Sequence, residues 1–282
     1  MTDAEATAAR PPWAVDRSEP EFAAHAAQSL IVNGFVALRG PIVPEANVTM
    51  CAEAIYDRLD ALLSSACQRG MDIDAGLLRF NEVCKRHTSA RYDLRLPLGR
   101  PTDLVPTDAA DVPGSETWCQ VHQLVDRVVR PILQEAFSYD RAPYEDWAFD
   151  AWASEVAGCV LSMPGCGAQA SHADGTSPAL VNAFVPLVAV DARNGTELMP
   201  SSHLDTLAMP SDALAALPGS VVPTLKPGEL LLFCYRTVHR GLPNKAGAPR
   251  PVLYFTYGAD GAVDNHNFPS DAPLLAGCAD GS

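Results

Sequence analysis

His172 and Asp174 stand two residues apart in the stretch Ser171-His172-Ala173-Asp174-Gly175. On an extended strand, residues at that spacing leave the same face, so one imidazole and one carboxylate become adjacent corners of a metal site. Two such residues meet often by chance. Taken singly, His172 reads as a partly buried histidine bonded to a loop carbonyl, and Asp174 as a turn residue ahead of Gly175. A third corner is offered by His239, in Tyr235-Arg236-Thr237-Val238-His239-Arg240-Gly241, after an apolar run of the kind that forms a buried strand. Two histidines and one carboxylate on one face of an octahedral ion leave three positions open. That geometry is diagnostic of non-haem Fe(II) oxygenases.

Arg250 follows His239 by eleven residues and has apolar neighbours. A strand ending near His239, a loop and an antiparallel return would set its guanidinium beside the metal, deeper in the fold. A buried guanidinium needs an anion, and its fork matches a carboxylate bidentately. Further upstream, Arg91-Tyr92-Asp93-Leu94-Arg95-Leu96 alternates like a strand facing a cleft. Arg91 and Arg95 are candidates for the substrate mouth, against the plainer reading of a solvated strand face.

The elements that must position these residues fall into two textures. From 19 to 146 the chain is mainly helical. Glu19–Val32 repeats apolar residues at helical spacing and stops at Asn33-Gly34. A second helix opens at Pro44 and runs to about Arg69, and a third spans Ser115–Ala136, with Pro131 expected to kink it or end it early. Phe35–Gly40 between the first two is strand-like. From about Trp147 the pattern changes to short strands separated by Gly, Pro and Asn clusters. These are Glu155–Met163, Gln169–Asp174, Leu180–Val190, Thr196–Met199, Val221–Thr224, Glu229–Phe233 and Val252–Tyr257. This predicts a single domain of mainly β structure with helical support, a double-stranded β-helix (jelly roll, cupin-like) over 147–260 packed by the N-terminal helices. Residues 1–18 and 261–282 read as tails.

Composition bounds the partners. The 282 residues carry a formal net charge of −14, which argues against nucleic acid or an anionic membrane as partner. Local basic clusters at Lys85-Arg86-His87 and at Arg91 with Arg95 keep a small anionic ligand in view. The longest apolar run, Ala179–Val190, is short and holds Asn182 and Pro186, too little for a membrane span. The acidic start of the chain lacks the features of a secretory signal, and eight scattered cysteines without a CxxC pair fit reduced thiols. A cytoplasmic location is expected, with an organellar transit segment as the other case. Oligomeric state is not legible.

Residues 155–257 resemble the phytanoyl-CoA dioxygenase family of Fe(II)/2-oxoglutarate oxygenases. The resemblance rests on the HxD, on Asn194-Gly195-Thr196-Glu197-Leu198-Met199-Pro200-Ser201-Ser202-His203, and on the block from Lys226-Pro227-Gly228 to Tyr257. The family's usual middle segment ends Pro-Gly-Ser-His, so Ser201 stands where a glycine is usual. Asn33–Gly40 resembles the family's opening strand, whereas 41–150 match only loosely. The resemblance implies that His172, Asp174 and His239 bind Fe(II), and that Arg250 holds the distal carboxylate of 2-oxoglutarate. It also implies that Thr196 sets a hydroxyl near the cosubstrate and that Gln169 contacts it near the metal. His203 becomes a structural residue. The implied reaction uses O₂ to decarboxylate 2-oxoglutarate to succinate and CO₂ while a C–H bond of a small-molecule substrate is oxidised. Related halogenases lack the carboxylate, so Asp174 favours hydroxylation, with desaturation, epoxidation and ring formation open. Two other readings stand beside this one: a non-catalytic barrel kept for binding or scaffolding, and a barrel using another divalent metal for non-oxidative chemistry.

Overall fold

The computed structural model describes residues 10–73, 78–85, 90–98, 112–138, 140, 147–204, 219–263 and 274–275. Arg86, His87, His266 and Cys278 lie outside them. The element order is β1 (Ala14–Asp16), α1 (Phe22–Asn33), β2 (Phe35–Arg39), α2 (Glu45–Gln68), β3 (Leu78–Arg79), β4 (Val83–Lys85), β5 (Arg91–Arg95), α3 (Ser115–Ala136), β6 (Trp152–Ser162), β7 (Leu180–Pro186), β8 (Thr196–Leu198), β9 (Leu230–Cys234), β10 (His239–Gly241) and β11 (Arg250–Ala259).

Nine strands form one large sheet in the order β1-β2-β9-β7-β11-β6-β5-β4-β3. Opposite it, β10 and β8 pair antiparallel, and isolated bridges His172↔His239, Leu198↔Val221 and Val190↔Leu225 extend that smaller layer. The result is the mainly β, helix-supported jelly roll that the strand pattern predicts. The three helices cover one face of the large sheet. Leu30 of α1, Ile55 and Leu62 of α2, and Val121, Val125 and Ile132 of α3 share a core with Leu161, Leu253, Phe255 and Tyr257. Inside the roll a smaller apolar cluster of Phe35, Ala37, Val190, Leu198, Leu225, Leu231 and Phe233 closes one end.

Several expectations shift. Ordered structure begins within the stretch read as a tail, because Ala14–Asp16 pairs in parallel with Ala37–Arg39 and buries Ala14 and Val15. The C-terminal stretch is also tied down: the Glu82 carboxylate accepts the backbone N–H groups of Leu274 and Leu275, and Leu274 is fully buried. The third helix runs through Pro131 to Ala136, because burial of Val128, Val129, Ile132 and Leu133 around the proline outweighs the lost backbone bond. Gln169–Asp174 and Val221–Thr224 are extended segments with single bridges rather than strands. The apolar run before His239 ends at Cys234, and His239 opens the next strand instead of closing one. Between them, Tyr235–Val238 is the corner where the chain passes from the large sheet to the small one, tightened by the Thr237 N–H on the Cys234 carbonyl. Ser201 adopts φ 63°, the left-handed region that glycine favours, and its hydroxyl donates to the Val32 carbonyl at 2.8 Å.

Candidate metal centre and its cavity

His172 and His239 face each other across an antiparallel bridge. The His172 N–H donates to the His239 carbonyl at 2.9 Å, and the His239 N–H returns the bond at 2.8 Å. Asp174 is fixed next to them by its own N–H on the Tyr235 carbonyl. The ligand atoms of His172, Asp174 and His239 all lie within 4.8 Å of one another.

The ring orientations are set by the backbone. Nδ1 of His172 lies 2.8 Å from the Ala170 carbonyl, and Nδ1 of His239 lies 3.0 Å from the Thr237 carbonyl. A carbonyl can only accept, so each Nδ1 carries a proton, and Nε2 is the nitrogen that offers a lone pair when the ring is neutral. Those two lone pairs converge with the carboxylate: Nε2 of His172 is 3.7 Å from one Asp174 oxygen, and Nε2 of His239 is 3.8 Å from the other. Both separations exceed a hydrogen bond. Burial lowers the pKa of His239, the nearby Asp174 carboxylate opposing this, so its imidazole is held in the neutral form a metal needs. A donor set of two imidazoles and one carboxylate, within reach of a common point, fits a divalent transition ion.

Asp174 is itself oriented from the large sheet. The Asn182 amide donates to one carboxylate oxygen at 2.7 Å, and the Thr256 hydroxyl donates to the Asn182 carbonyl oxygen, also at 2.7 Å. Asn182 on β7 and Thr256 on β11 are register partners, so the sheet itself sets this relay. The sequence held a signal for it. An asparagine inside the apolar run Ala179–Val190 cannot be buried without partners, yet it was read only as a mark against a membrane span.

His172, Asp174 and His239 line a cavity of about 580 Å³. Gln169, Thr196, Arg250 and Arg91 line it too, with Asp93, Tyr254, Phe184 and Val160 on the walls. Arg250, at the start of β11, is 4% exposed. Its guanidinium donates to the Ser162 hydroxyl at 2.9 Å and more loosely to the Gly195 and Leu242 carbonyls at 3.4 Å, while Nε has no partner. Burial, with Arg91 as a second cation nearby, brings its pKa down to about 10, so it stays charged at neutral pH. No carboxylate is among its partners in those bonds, so an anionic group in the cavity could pair with it.

The upstream candidates divide. Arg91 reaches the cavity, but its guanidinium is held by several groups of the protein. Arg95, two places further along β5, is buried and is not among the residues lining the cavity. Gln169 is no solvated edge amide; its Oε1 accepts from both Arg91 and the Gly241 N–H. His203 lies outside the cavity, 1% exposed, with Nε2 donating to the Ile31 carbonyl at 3.0 Å. Asn244, fully buried, bonds the Ser162 and Ala248 carbonyls and shapes the loop that returns to Arg250. No helix among the described residues is long and apolar enough to cross a membrane.

No protein-family model and no curated protein matches the chain. Solved structures do resemble it. AviO1 from Streptomyces viridochromogenes Tue57 superposes with a TM-score of 0.54 at 17% identity, over 85% of this chain and 96% of its own. The non-heme alpha ketoglutarate dependent epimerase SnoN from nogalamycin biosynthesis gives 0.55 at 16% identity, over 86% and 84%. The non-heme alpha ketoglutarate dependent carbocyclase SnoK from the same biosynthesis gives 0.53 at 16%, over 83% of each chain. At these identities the likeness is one of fold: the chain shares the architecture of enzymes that are themselves non-heme and alpha ketoglutarate dependent.

Proposed function

We propose that this chain is an Fe(II)/2-oxoglutarate-dependent oxygenase acting on a C–H bond of a small molecule, with hydroxylation as its outcome. The observation that carries the reading is the convergence, in one cavity, of two Nε2 lone pairs and a carboxylate with the buried, charged Arg250. A barrel using another divalent metal for non-oxidative chemistry has no need of Arg250. A scaffold protein has no physical reason to keep three ligands converging.

His172, Asp174 and His239 would hold the iron and leave its remaining positions toward the cavity. Iron held there would activate O₂, the oxidant both for decarboxylation of 2-oxoglutarate to succinate and CO₂ and for the substrate C–H bond. Arg250 would pair with the distal carboxylate of the keto acid. Thr196 lines the same region and would add a hydroxyl. Asn182 holds Asp174 in one orientation throughout. Phe184, Val160 and Val252 keep that wall of the cavity apolar and limit water. A structure of SnoN contains Fe3+, alpha ketoglutarate and nogalamycin RO, and superposes with a TM-score of 0.54. That supports a small-molecule substrate here. Since epimerase and carbocyclase are built on the same fold, the product type rests on which substrate carbon this cavity presents.

The test is succinate formation by protein reconstituted with Fe(II) under anaerobic conditions and then given 2-oxoglutarate and O₂. Turnover in wild type that both His172→Ala and Arg250→Ala abolish is the expected result. Absence of Fe(II) and 2-oxoglutarate binding in wild type would replace this reading with the non-catalytic barrel.

A further inference from the structure

Arg91 is 8% exposed and joins segments far apart in the sequence. Nη1 donates to Gln169 Oε1 at 3.0 Å. Nη2 donates to the Gly167 carbonyl at 3.0 Å and the Leu242 carbonyl at 3.3 Å, and touches the Cys166 sulfur at 3.6 Å. Gly167 and Gln169 lead into His172, and Leu242 follows His239. The same Gln169 oxygen also accepts the Gly241 N–H at 2.9 Å, and the Gln169 N–H donates to the Gly241 carbonyl at 2.9 Å. Space there is closed: a Cβ on Gly241 would lie 2.2 Å from Arg91 Nη1 and 2.6 Å from Gln169 Oε1. With two donors fixed on Oε1, the Gln169 amide nitrogen is the end left for the cavity.

We propose that Arg91 is a positioning residue, which clamps the segment leading into His172 to the segment leaving His239 and, through Gln169, turns an amide donor into the cavity. The contact of Gln169 with the cosubstrate is already implied by the family resemblance; what is new is that Arg91 sets the direction of its amide. The role in metal and keto-acid binding rests on the function proposed above; the clamp itself does not. This departs from the substrate-mouth role expected for Arg91. A planar fork reaches an amide oxygen and two carbonyls at once, whereas a lysine ammonium carries the same charge without the fork.

The experiment compares wild type with Arg91→Lys, Arg91→Met and Gln169→Glu. Amide hydrogen exchange of the metal-free protein is read first, then titrations with cobalt(II) and with 2-oxoglutarate. Both Arg91 variants are expected to exchange about tenfold faster in 166–172 and in 239–242 together. Cobalt(II) affinity in both should fall about 10-fold, the scale of losing a group that orients a metal ligand. Gln169→Glu can still accept from Arg91 and Gly241, so its exchange and cobalt(II) binding stay near wild type while 2-oxoglutarate binding weakens, its donor having become an acceptor. Wild-type behaviour of Arg91→Lys would overturn the clamp in favour of charge alone, and acceleration in only one segment would overturn the tie between them. Unchanged 2-oxoglutarate binding in Gln169→Glu would overturn the amide donor. Joint acceleration in a protein whose wild type binds no cobalt(II) would sustain the clamp and remove the metal reading instead.

Discussion

The two faces of strand β11 are both buried and do opposite work. Arg250, Val252, Tyr254 and Thr256 line the cavity, whereas Leu253, Phe255 and Tyr257 pack against the helices. β7 repeats the division, with Asn182 and Phe184 toward the cavity and Val181, Ala183 and Val185 toward the helices. On β5, Arg91 and Asp93 face the cavity and Tyr92 and Leu94 the core. On β11, therefore, burial does not distinguish the cavity face from the helix face. What does is that every polar group on the cavity face must be satisfied by a neighbour or await a ligand, while the helix face asks only for volume.

That division can be broken by substitution on either side. The largest expected effect is on the helix face. Phe255 is fully buried with its ring 5.1 Å from that of His122 on α3. Phe255→Ala should cost about 3–5 kcal/mol in denaturant unfolding, while cobalt(II) and 2-oxoglutarate titrations of the folded protein stay near wild type. Loss of binding in step with stability would show that the faces are not independent.

Next comes a histidine on each side. His203, packed against α1, and His239, in the cavity, are both held neutral by burial, His203 with its pKa pushed down to about 4. Between that value and the ordinary one near 6.5 the unfolded chain binds the proton and the folded chain does not, so stability falls as pH drops through this window. The loss approaches roughly 3 kcal/mol at the bottom. His203→Gln should remove that slope, measured as the wild-type minus variant difference in unfolding free energy from pH 7 to pH 4. A difference that does not vary with pH would locate the acid sensitivity elsewhere.

On the cavity face, His239→Ala should lower succinate formation by about 100-fold or more, equivalent to about 2.7 kcal/mol, with little change in melting temperature. The smallest effect sharpens the comparison most. Asn182→Leu keeps volume but removes the bond that orients Asp174, and cobalt(II) affinity should fall about tenfold. An unchanged affinity would mean that the carboxylate is held by its backbone alone.

Much of this was legible from types and spacing, and the rest was not for definite reasons. The three helices and the alternation in β5 follow from periodicity, which a single sequence displays directly. The convergence of His172, Asp174 and His239 follows from an HxD and a later histidine, because the chain between them crosses the sheets of one roll. The corner at Tyr235–Val238 was missed because the run into it is apolar and no glycine or proline marks the turn. The bonds that hold Arg91 were not legible because its partners are mostly backbone carbonyls and one amide, and sequence does not show which carbonyls a strand residue will meet. The strand at Ala14–Asp16 is too short to show a period, and it exists because β2 offers an open edge.

Gly34 caps α1 in the left-handed conformation at φ 78°. Its carbonyl accepts the Cys234 N–H at 2.8 Å and the Thr237 hydroxyl, 203 positions away, also at 2.8 Å. The end of the first helix is thus fastened to the corner from which His239 departs. Such a contact closes one of the longest loops in the chain, and long loops close late. During synthesis the Gly34 carbonyl lacks these two partners until the chain has been made as far as Thr237. A ribosome-bound chain that stops short of Thr237 therefore lacks both this fastening and His239, the third residue of the candidate metal site.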